Sequence, residues 1–255
     1  MLSLPIPYRH GPQSFSQVKW KDGYALSDLL QQLAPNKFDP SQICHLDPDL
    51  NPKAIQRESG WIPAFGQQGK DQSHLDNNGV AEGDLFLFFG LFQEVEKRGP
   101  VYAYKRGSEQ RHVIYGWLQV SQKISASSTD WVLKQFPWLH THPHLHNQEN
   151  WSRNTIYLSG KELRLEGLKG KIPGAGIFPF DSKRVLTKPG LSCSFWSLPE
   201  WCKEGKNSCF SRFNKEKNLK DHEGQLLLKT SGRWQELVIN SEDYPEILTW
   251  LPKIF

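Results

Sequence analysis

Sulfur, long apolar runs and leader-like features are all scarce in this chain of 255 residues. Its four cysteines are widely scattered and form no CxxC pair, which argues against a structural zinc site built from thiolates. The longest apolar run, Leu85–Phe92, is broken by a glycine and is far too short to cross a membrane. The amino terminus has no basic segment and carries Pro5 and Pro7, unlike a signal peptide. We therefore expect a cytoplasmic protein with reduced thiols and no membrane partner.

The sequence motifs of several large enzyme classes are also missing. The chain has no GxGxxG after a strand, no phosphate-binding P-loop, no HExxH and no GxSxG. These absences exclude the dinucleotide-binding, P-loop NTPase, zinc-protease and α/β-hydrolase classes.

Short apolar segments separated by turn residues predict strands through most of the chain. The predicted strands are Leu85–Phe89, Val101–Tyr104, His112–Val120, Thr155–Leu158, Leu163–Leu165, Val185–Thr187, Gln225–Lys229 and Trp234–Ile239. Helical spacing or capping predicts short helices at Tyr24–Leu33, Thr129–Phe136, Leu198–Cys202 and Tyr244–Leu251. Residues 35–80 are rich in Pro, Gly, Asn, Asp and Gln without periodicity, which predicts a long, irregular loop region.

This pattern predicts an α+β, β-rich fold: a curled antiparallel sheet or a PUA-like barrel with a few short peripheral helices. The barrel alternative depends on Gly83-Asp84 before an apolar strand and on the later strand Tyr115–Val120. Together they resemble PUA-like barrels, including EVE and ASCH domains, which often hold a modified base or an RNA end in a cleft. We expect residues 1–255 to form a single domain, with 125–150 as the region where it would divide.

Positive charge is concentrated in the second half of the chain. Residues 1–128 contain 13 basic and 13 acidic residues, whereas residues 129–255 contain 18 and 14. One basic cluster is a candidate contact surface for nucleic-acid phosphates, with solvated loops as the alternative. It comprises Lys203, Lys206, Arg212, Lys215, Lys217 and Lys220.

Two histidine-containing motifs supply candidate catalytic residues. His45 and Asp47 lie in the motif CHLDPD, which forms either an acid–base or metal-binding corner or a turn in which Asp47 bonds its own backbone. Within His140–His146, His142 and His144 are candidates for proton transfer or phosphate binding, with a His-rich loop that binds nothing specific as the alternative. We expect no bound metal or other cofactor, because Pro143 interrupts this segment and no carboxylate stands at a familiar metal-site spacing.

A polar segment upstream of the first long strand supplies candidate ligand-binding residues. Carboxamides suit the edge of a nucleobase, an aromatic ring can stack on its face, and a histidine side chain can change its charge near neutral pH. The alternative is a loop whose Asn and Gln side chains cap their own backbone. Together with Trp117 on a later strand, the candidates are Phe65, Gln67, Gln72, His74 and Asn78.

Several motifs taken in order resemble the nucleotide modification associated domain 3 family of bacteria and phages. They are LSLPIP at 2–7, CHLDPDL at 44–50, AFGQ at 64–67, QSHL at 72–75, GDLFLFFG at 83–90, HPH at 142–144 and NTIY at 154–157. The resemblance spans nearly the whole chain and implies association with DNA base modification systems rather than one established reaction. It also implies that a strand and a Gly-rich loop precede the LSLPIP motif, whereas this sequence begins there.

Three functions follow from these features. The first is a protein that binds nucleic acid or a nucleotide and is associated with DNA base modification or its recognition. The second is an enzyme that acts on a nucleobase or nucleotide through His/Asp acid–base or metal chemistry. The third is a structural adaptor. Nucleic acid or a nucleotide is the expected partner in the first two.

Overall fold

The computed structural model describes residues 5–20, 23–35, 37–146, 153–203, 211, 215–230 and 236–255, without the side chains of 203, 215 and 216. The strands are β1 (Ile6–Pro7), β2 (Cys44–His45), β3 (Ala64–Gln67), β4 (Leu85–Phe92), β5 (Val95–Arg98), β6 (Val101–Tyr104), β7 (Arg111–Ser125), β8 (Thr155–Ser159), β9 (Ala175–Ile177), β10 (Phe195–Ser197), β11 (Leu219–His222) and β12 (Gln225–Lys229). The α-helices are α1 (Leu26–Leu33), α2 (Gly69–Asn77), α3 (Thr129–Gln135), α4 (Lys215–Asn218) and α5 (Glu246–Ile254). Turns of 3-10 helix lie at Pro137–Thr141, Pro143–Leu145, Ser182–Arg184 and Glu200–Lys203.

The largest sheet is built around the long strand β7. Its strand order is β3-β8-β7-β4, and every pair is antiparallel. Strand β9 pairs with Gly116–Leu118 of β7 on the edge opposite β4, and β8 pairs with Val120–Ser125 farther along. The register shifts between Phe88 and Phe89 and between Val120 and Gln122. Such bulges bend strands and increase the local twist.

Strand β8 lies at the centre of this sheet, with all five residues buried. Ile156 and Leu158 pack on one face in a cluster that includes Val132 of α3 and Leu139 of the following 3-10 turn. Tyr157 packs on the other face in a cluster that includes Leu75 of α2. The sheet therefore separates α2 from the segment that contains His142 and His144.

Three smaller antiparallel sheets lie beside it within the described part of the chain. They pair β1 with β2, β5 with β6, and β12 with both β10 and β11. The predicted α+β, β-rich class with antiparallel sheets and short helices is confirmed. None of the sheets in the described ranges closes into a barrel, so the PUA-like alternative is not supported.

The local predictions differ in accuracy along the chain. The helices predicted at Tyr24–Leu33, Thr129–Phe136 and Tyr244–Leu251 are confirmed as α1, α3 and α5. The irregular loop predicted across residues 35–80 is wrong, because β3 and α2 form within it. The strand predicted at Leu163–Leu165 is also absent. Among the described helices, none is both long and apolar enough to cross a lipid bilayer.

Candidate functional site

The CHLDPD motif is held against the main sheet by backbone and side-chain contacts. Asp49 and Ala64 exchange two backbone hydrogen bonds, at 2.8 and 3.2 Å between N and O, which fix this segment beside β3. The Asp49 carboxylate accepts two hydrogen bonds from Arg57, at 2.5 and 2.6 Å, and one from the Trp61 indole at 3.1 Å. Asp49 is therefore a structural anchor for the chain that carries Asp47.

Neighbouring side chains of β2 point to opposite sides, as strand geometry requires. Cys44 is fully buried in an apolar cluster, and burial raises the pKa of its thiol to about 11. His45 faces the other way, where its ring packs edge-on against Tyr8 with 4.9 Å between ring centroids. The two side chains thus do not form a nucleophile–base pair.

Four predicted catalytic residues converge in what we call the Asp47 centre: His45, Asp47, His142 and His144. Asp47 Oδ2 lies 3.7 Å from His45 Nε2 and 3.4 Å from His144 Nε2, while Oδ1 lies 3.4 Å from His142 Nε2. The side chain of His45 is 18% exposed, whereas those of the other three are 2–4% exposed. The centre is therefore buried, with His45 as its most accessible member.

The Asp47 carboxylate does not cap its own backbone, which was the alternative for this turn. Its Oδ1 instead accepts a hydrogen bond from the Gly66 backbone N–H at 3.0 Å. Gly66 also packs directly on His144, since a Cβ added there would lie 2.4 Å from two carbons of that ring. The absence of a side chain at Gly66 thus lets Asp47 and the His144 imidazole meet at β3.

Asn154, just before β8, fixes the orientation of the His144 ring. The Asn154 Nδ2 donates to the His144 backbone carbonyl at 2.6 Å, which assigns its Oδ1 as the atom facing His144 Nδ1 at 2.7 Å. His144 Nδ1 must therefore carry the proton in that contact. In the neutral ring, Nε2 then presents its lone pair toward Asp47.

His142 takes the opposite tautomer when neutral. Its Nδ1 accepts the His144 backbone N–H at 3.3 Å, so the proton is on Nε2, which faces Asp47 Oδ1. This Nε2 is buried and has no hydrogen-bond partner within the described part of the chain. Since the contact at 3.4 Å exceeds a normal N–H···O hydrogen bond, His142 orients the carboxylate only weakly.

The environment fixes the charge of the Asp47 centre. Burial would raise the pKa of the Asp47 carboxyl, but its contacts with the imidazoles of His142 and His45 outweigh burial and lower that pKa well below its ordinary value. Burial lowers the pKa of His144 to about 4, so its ring is neutral near pH 7. Burial, together with the Asp47 charge, raises the pKa of Tyr115. The centre is thus a buried anion with a nitrogen lone pair beside it.

The four histidines of the His140–His146 segment do not share one face. Two consecutive 3-10 turns replace an extended strand here, and Pro143 begins the second. His140 lies at the surface, where its Nδ1 contacts the Pro137 carbonyl at 3.1 Å. His146 Nε2 contacts the His140 carbonyl at 2.6 Å. Only His142 and His144 reach Asp47, which supplies the carboxylate that the local spacing lacked.

A second histidine–carboxylate arrangement, the Glu236 cluster, comprises Gln67, His74, Ser211 and Glu236. Glu236 Oε1 lies 2.6 Å from His74 Nδ1, and its Oε2 accepts from Gln67 Nε2 at 2.9 Å. His74 Nε2 lies 2.7 Å from Ser211 Oγ, which also accepts the Val238 backbone N–H at 2.9 Å. The order of groups resembles a Ser–His–carboxylate triad, although Val238 already occupies one hydroxyl lone pair.

The other predicted ligand-binding residues have roles in the fold. Gln72 is fully buried and donates to Asp76 and Tyr157. Asn78 Nδ2 donates to the His74 carbonyl at the end of α2, which is local capping. The buried Trp117 donates its indole N–H to the Pro173 carbonyl at 2.9 Å.

Phe65 lies half-buried beside Phe86 and Phe88, with ring centroids 5.0 and 5.1 Å apart. Its ring is thus part of the aromatic packing on the face of the sheet that carries α2.

The basic cluster is described only in part. Lys217 belongs to α4 and Lys220 to β11, and both are exposed. Lys206, Arg212 and the side chains of Lys203 and Lys215 lie outside the described residues.

Three parts of the site were missed by sequence reasoning: the Gly66 N–H, Asn154 and Glu236. Gly66 lies within the AFGQ motif and Asn154 within NTIY, but neither motif indicated the contact of Gly66 with Asp47 or that of Asn154 with His144. Glu236 joins residues far apart in the sequence and carried no local signal.

Comparison with known proteins gives one match. No curated protein and no solved structure gives a significant match to the chain. The family model described as nucleotide modification associated domain 3 matches residues 1–240. As the ordered motifs predicted, the chain belongs to the nucleotide modification associated domain 3 family.

Proposed function

We propose that this protein is an enzyme that acts on a nucleobase or a nucleotide, and that the Asp47 centre performs its chemistry. The observation that carries this proposal is that three imidazoles from two distant segments lie within 3.7 Å of one buried carboxylate. The family name supplies the substrate class, since it associates the domain with nucleotide modification.

The centre is costly to the fold, which favours a functional role. Burying an ionised carboxylate without close partners costs several kcal/mol in general. Asp47 receives one hydrogen bond of ordinary length, from Gly66, while its three imidazole contacts are 3.4–3.7 Å long. Buried groups with strongly shifted pKa values are concentrated at reactive sites. A structural adaptor would gain nothing from this arrangement.

His45 marks the side from which a substrate would approach. Its side chain is the most exposed in the centre, and its buried Nδ1 has no hydrogen-bond partner within the described residues. Tyr8 packs on the same ring and borders that side. A base or sugar seated there would meet His45 first and Asp47 behind it.

Nucleoside analysis by mass spectrometry tests the proposal. The purified protein is incubated separately with deoxynucleotides, single-stranded DNA, duplex DNA and RNA, and the digested products are compared with those of Asp47→Asn. We expect a new or depleted nucleoside with the wild type and a loss of at least about 100-fold in the variant. Asp130→Asn, at an exposed carboxylate in the first turn of α3, is the matched control.

An unchanged product in Asp47→Asn would contradict the assignment of the site. Identical nucleoside profiles with and without wild-type protein, in all four substrates, would contradict the enzymatic function.

Binding of nucleic acid without reaction is the second candidate, favoured by the exposed pair Lys217 and Lys220. If these residues contact phosphates, affinity for DNA falls steeply between about 50 and 200 mM salt. A double Lys217→Glu, Lys220→Glu variant should then bind more weakly across all sequences. An affinity for DNA that changes with neither the salt concentration nor the double substitution would contradict this second candidate function.

A further inference from the structure

We infer that the Asp47 centre binds one divalent transition-metal ion through His45 Nε2, Asp47 Oδ2 and His144 Nε2. These three side chains each offer a ligand atom, and the atoms lie within 4.8 Å of one another. This reverses the sequence-based expectation of no metal, whose main ground was a missing carboxylate.

The distances between the donor atoms suit a shared cation better than direct hydrogen bonds. Zinc sits about 2.0–2.2 Å from imidazole nitrogen and carboxylate oxygen, so neighbouring donors around a tetrahedral ion lie about 3.4 Å apart. Asp47 Oδ2 lies 3.4 Å from His144 Nε2 and 3.7 Å from His45 Nε2. A hydrogen bond would bring these atoms to about 2.7–3.2 Å. These two gaps exceed an ordinary hydrogen bond and are close to the separation of neighbouring donors around one ion.

Hydrogen-bond partners behind His144 and Asp47 already hold these two ligands in the orientation that a metal requires. Ligating histidines commonly donate their second ring N–H to an oxygen acceptor, and ligating carboxylates are themselves hydrogen-bonded. His144 Nδ1 donates to Asn154 Oδ1 at 2.7 Å, which turns the Nε2 lone pair toward Asp47. The other oxygen of Asp47 accepts the Gly66 N–H and faces His142. His142 faces the oxygen of Asp47 that the metal does not use, so it lies outside the ligand set.

The donor set indicates the class of metal. Two imidazoles and one carboxylate suit zinc or iron(II), whereas magnesium and calcium prefer oxygen donors. Three protein ligands leave at least one coordination position for water or substrate, as in catalytic rather than structural sites. Among the three ligands, only His45 has appreciable exposure, at 18% of its side chain. The open coordination position therefore lies on the side of His45.

The role of the ion as a cofactor rests on the function proposed above. Its binding does not depend on that function and is measured separately. Elemental analysis of the full chain, purified without chelators and in parallel under anaerobic conditions, is expected to give about one zinc or iron per chain. A His45→Ala, His144→Ala double variant is expected to lose it. The control is His140→Ala, His222→Ala, which removes two surface histidines away from Asp47.

Two further measurements keep the inference testable if the double variant does not fold. Cobalt(II) added to chelator-treated wild type should give visible absorption bands, because cobalt(II) shows such bands when a few nitrogen and oxygen ligands bind it. Asn154→Ala should weaken metal binding about 10–100-fold in calorimetric titration, because it frees the His144 ring. His45→Ala alone, at the most exposed ligand, should also reduce the metal content.

Either zinc or iron, lost with the ligands and kept in the control, supports the inference. Metal-free protein, metal retained at the same ratio in the ligand variants, or binding of magnesium alone would overturn it. Nucleoside conversion by metal-free wild type that Asp47→Asn abolishes would overturn the metal while keeping the proposed function. Tight metal binding with no nucleoside conversion would support the metal site and contradict the proposed function.

Discussion

The Asp47 centre and the Glu236 cluster both place histidine beside a carboxylate, and they differ in how completely their hydrogen-bonding groups are paired. In the Glu236 cluster, contacts of 2.6–2.9 Å link Gln67, Glu236, His74 and Ser211, and Val238 closes the chain. In the Asp47 centre, the imidazoles stand 3.4–3.7 Å from the carboxylate. In the Glu236 cluster, hydrogen bonds join the groups directly. In the Asp47 centre, the longer gaps leave room for a cation or a reacting group. The lengths of these contacts therefore distinguish the proposed reactive centre from the Glu236 cluster.

The largest contrast is expected when one imidazole is removed from each region. His144→Gln should lower nucleoside conversion about 10²–10⁴-fold, because His144 faces the reacting carboxylate. His74→Gln should change it by less than about threefold, because its bonds to Glu236 and Ser211 serve the fold. Initial rates measured side by side check this contrast. Equal losses in both variants would erase the distinction between the two regions.

The contact between Gly66 and His144 gives the next largest effect, on stability. Gly66→Ala places a Cβ 2.4 Å from the ring and should destabilise the protein by about 1–3 kcal/mol. Gly160→Ala is the matched control, since its nearest contact would be an ordinary 3.5 Å. Urea unfolding of the two variants provides the comparison. Equal stability would show that the His144 ring is free to shift.

A smaller effect is expected at Ser211, the last member of the Glu236 cluster. Ser211→Ala removes the hydrogen bonds to His74 and Val238 and should cost about 0.5–1.5 kcal/mol in urea unfolding. Nucleoside conversion should persist, because the account treats this hydroxyl as structural. Abolished conversion in a folded Ser211→Ala protein would assign the chemistry to the Glu236 cluster instead.

The smallest effect concerns His112, a buried imidazole that pairs with no carboxylate in the described residues. Burial lowers the pKa of His112, so its neutral form is favoured in the folded state. Its contribution to stability is therefore full above the unfolded pKa of about 6.5 and is lost as the pH falls through the lowered, folded value. Wild type should lose more stability than His112→Gln between about pH 7.5 and pH 5.5. A larger loss in the variant would contradict the sign.

The sequence predicted the strands and helices with strong apolar patterns and missed those formed by tertiary contacts. Strand β8 and helix α1 have clear apolar patterns. Helix α2 is mostly polar, and only Leu75 and Gln72 of its residues are buried. Its stability comes from packing on Tyr157, which no local pattern reveals.

The candidate catalytic residues were identified from two separate motifs, but their meeting was not predictable. Asp47 and His144 approach only because the Asp49–Ala64 pairing fixes one segment and the chain after α3 brings in the other. The residue types were therefore readable from the sequence, whereas the distances that give them chemical meaning were not.

X-ray diffraction from crystals of the full chain, recorded on both sides of the zinc and iron absorption edges, tests the difference between the two regions most directly. The account predicts one anomalous peak about 2.0–2.2 Å from His45 Nε2, Asp47 Oδ2 and His144 Nε2, and none at Glu236. A peak at Glu236, or ordinary hydrogen bonds joining Asp47 directly to His45 and His144 with no peak between them, would contradict it.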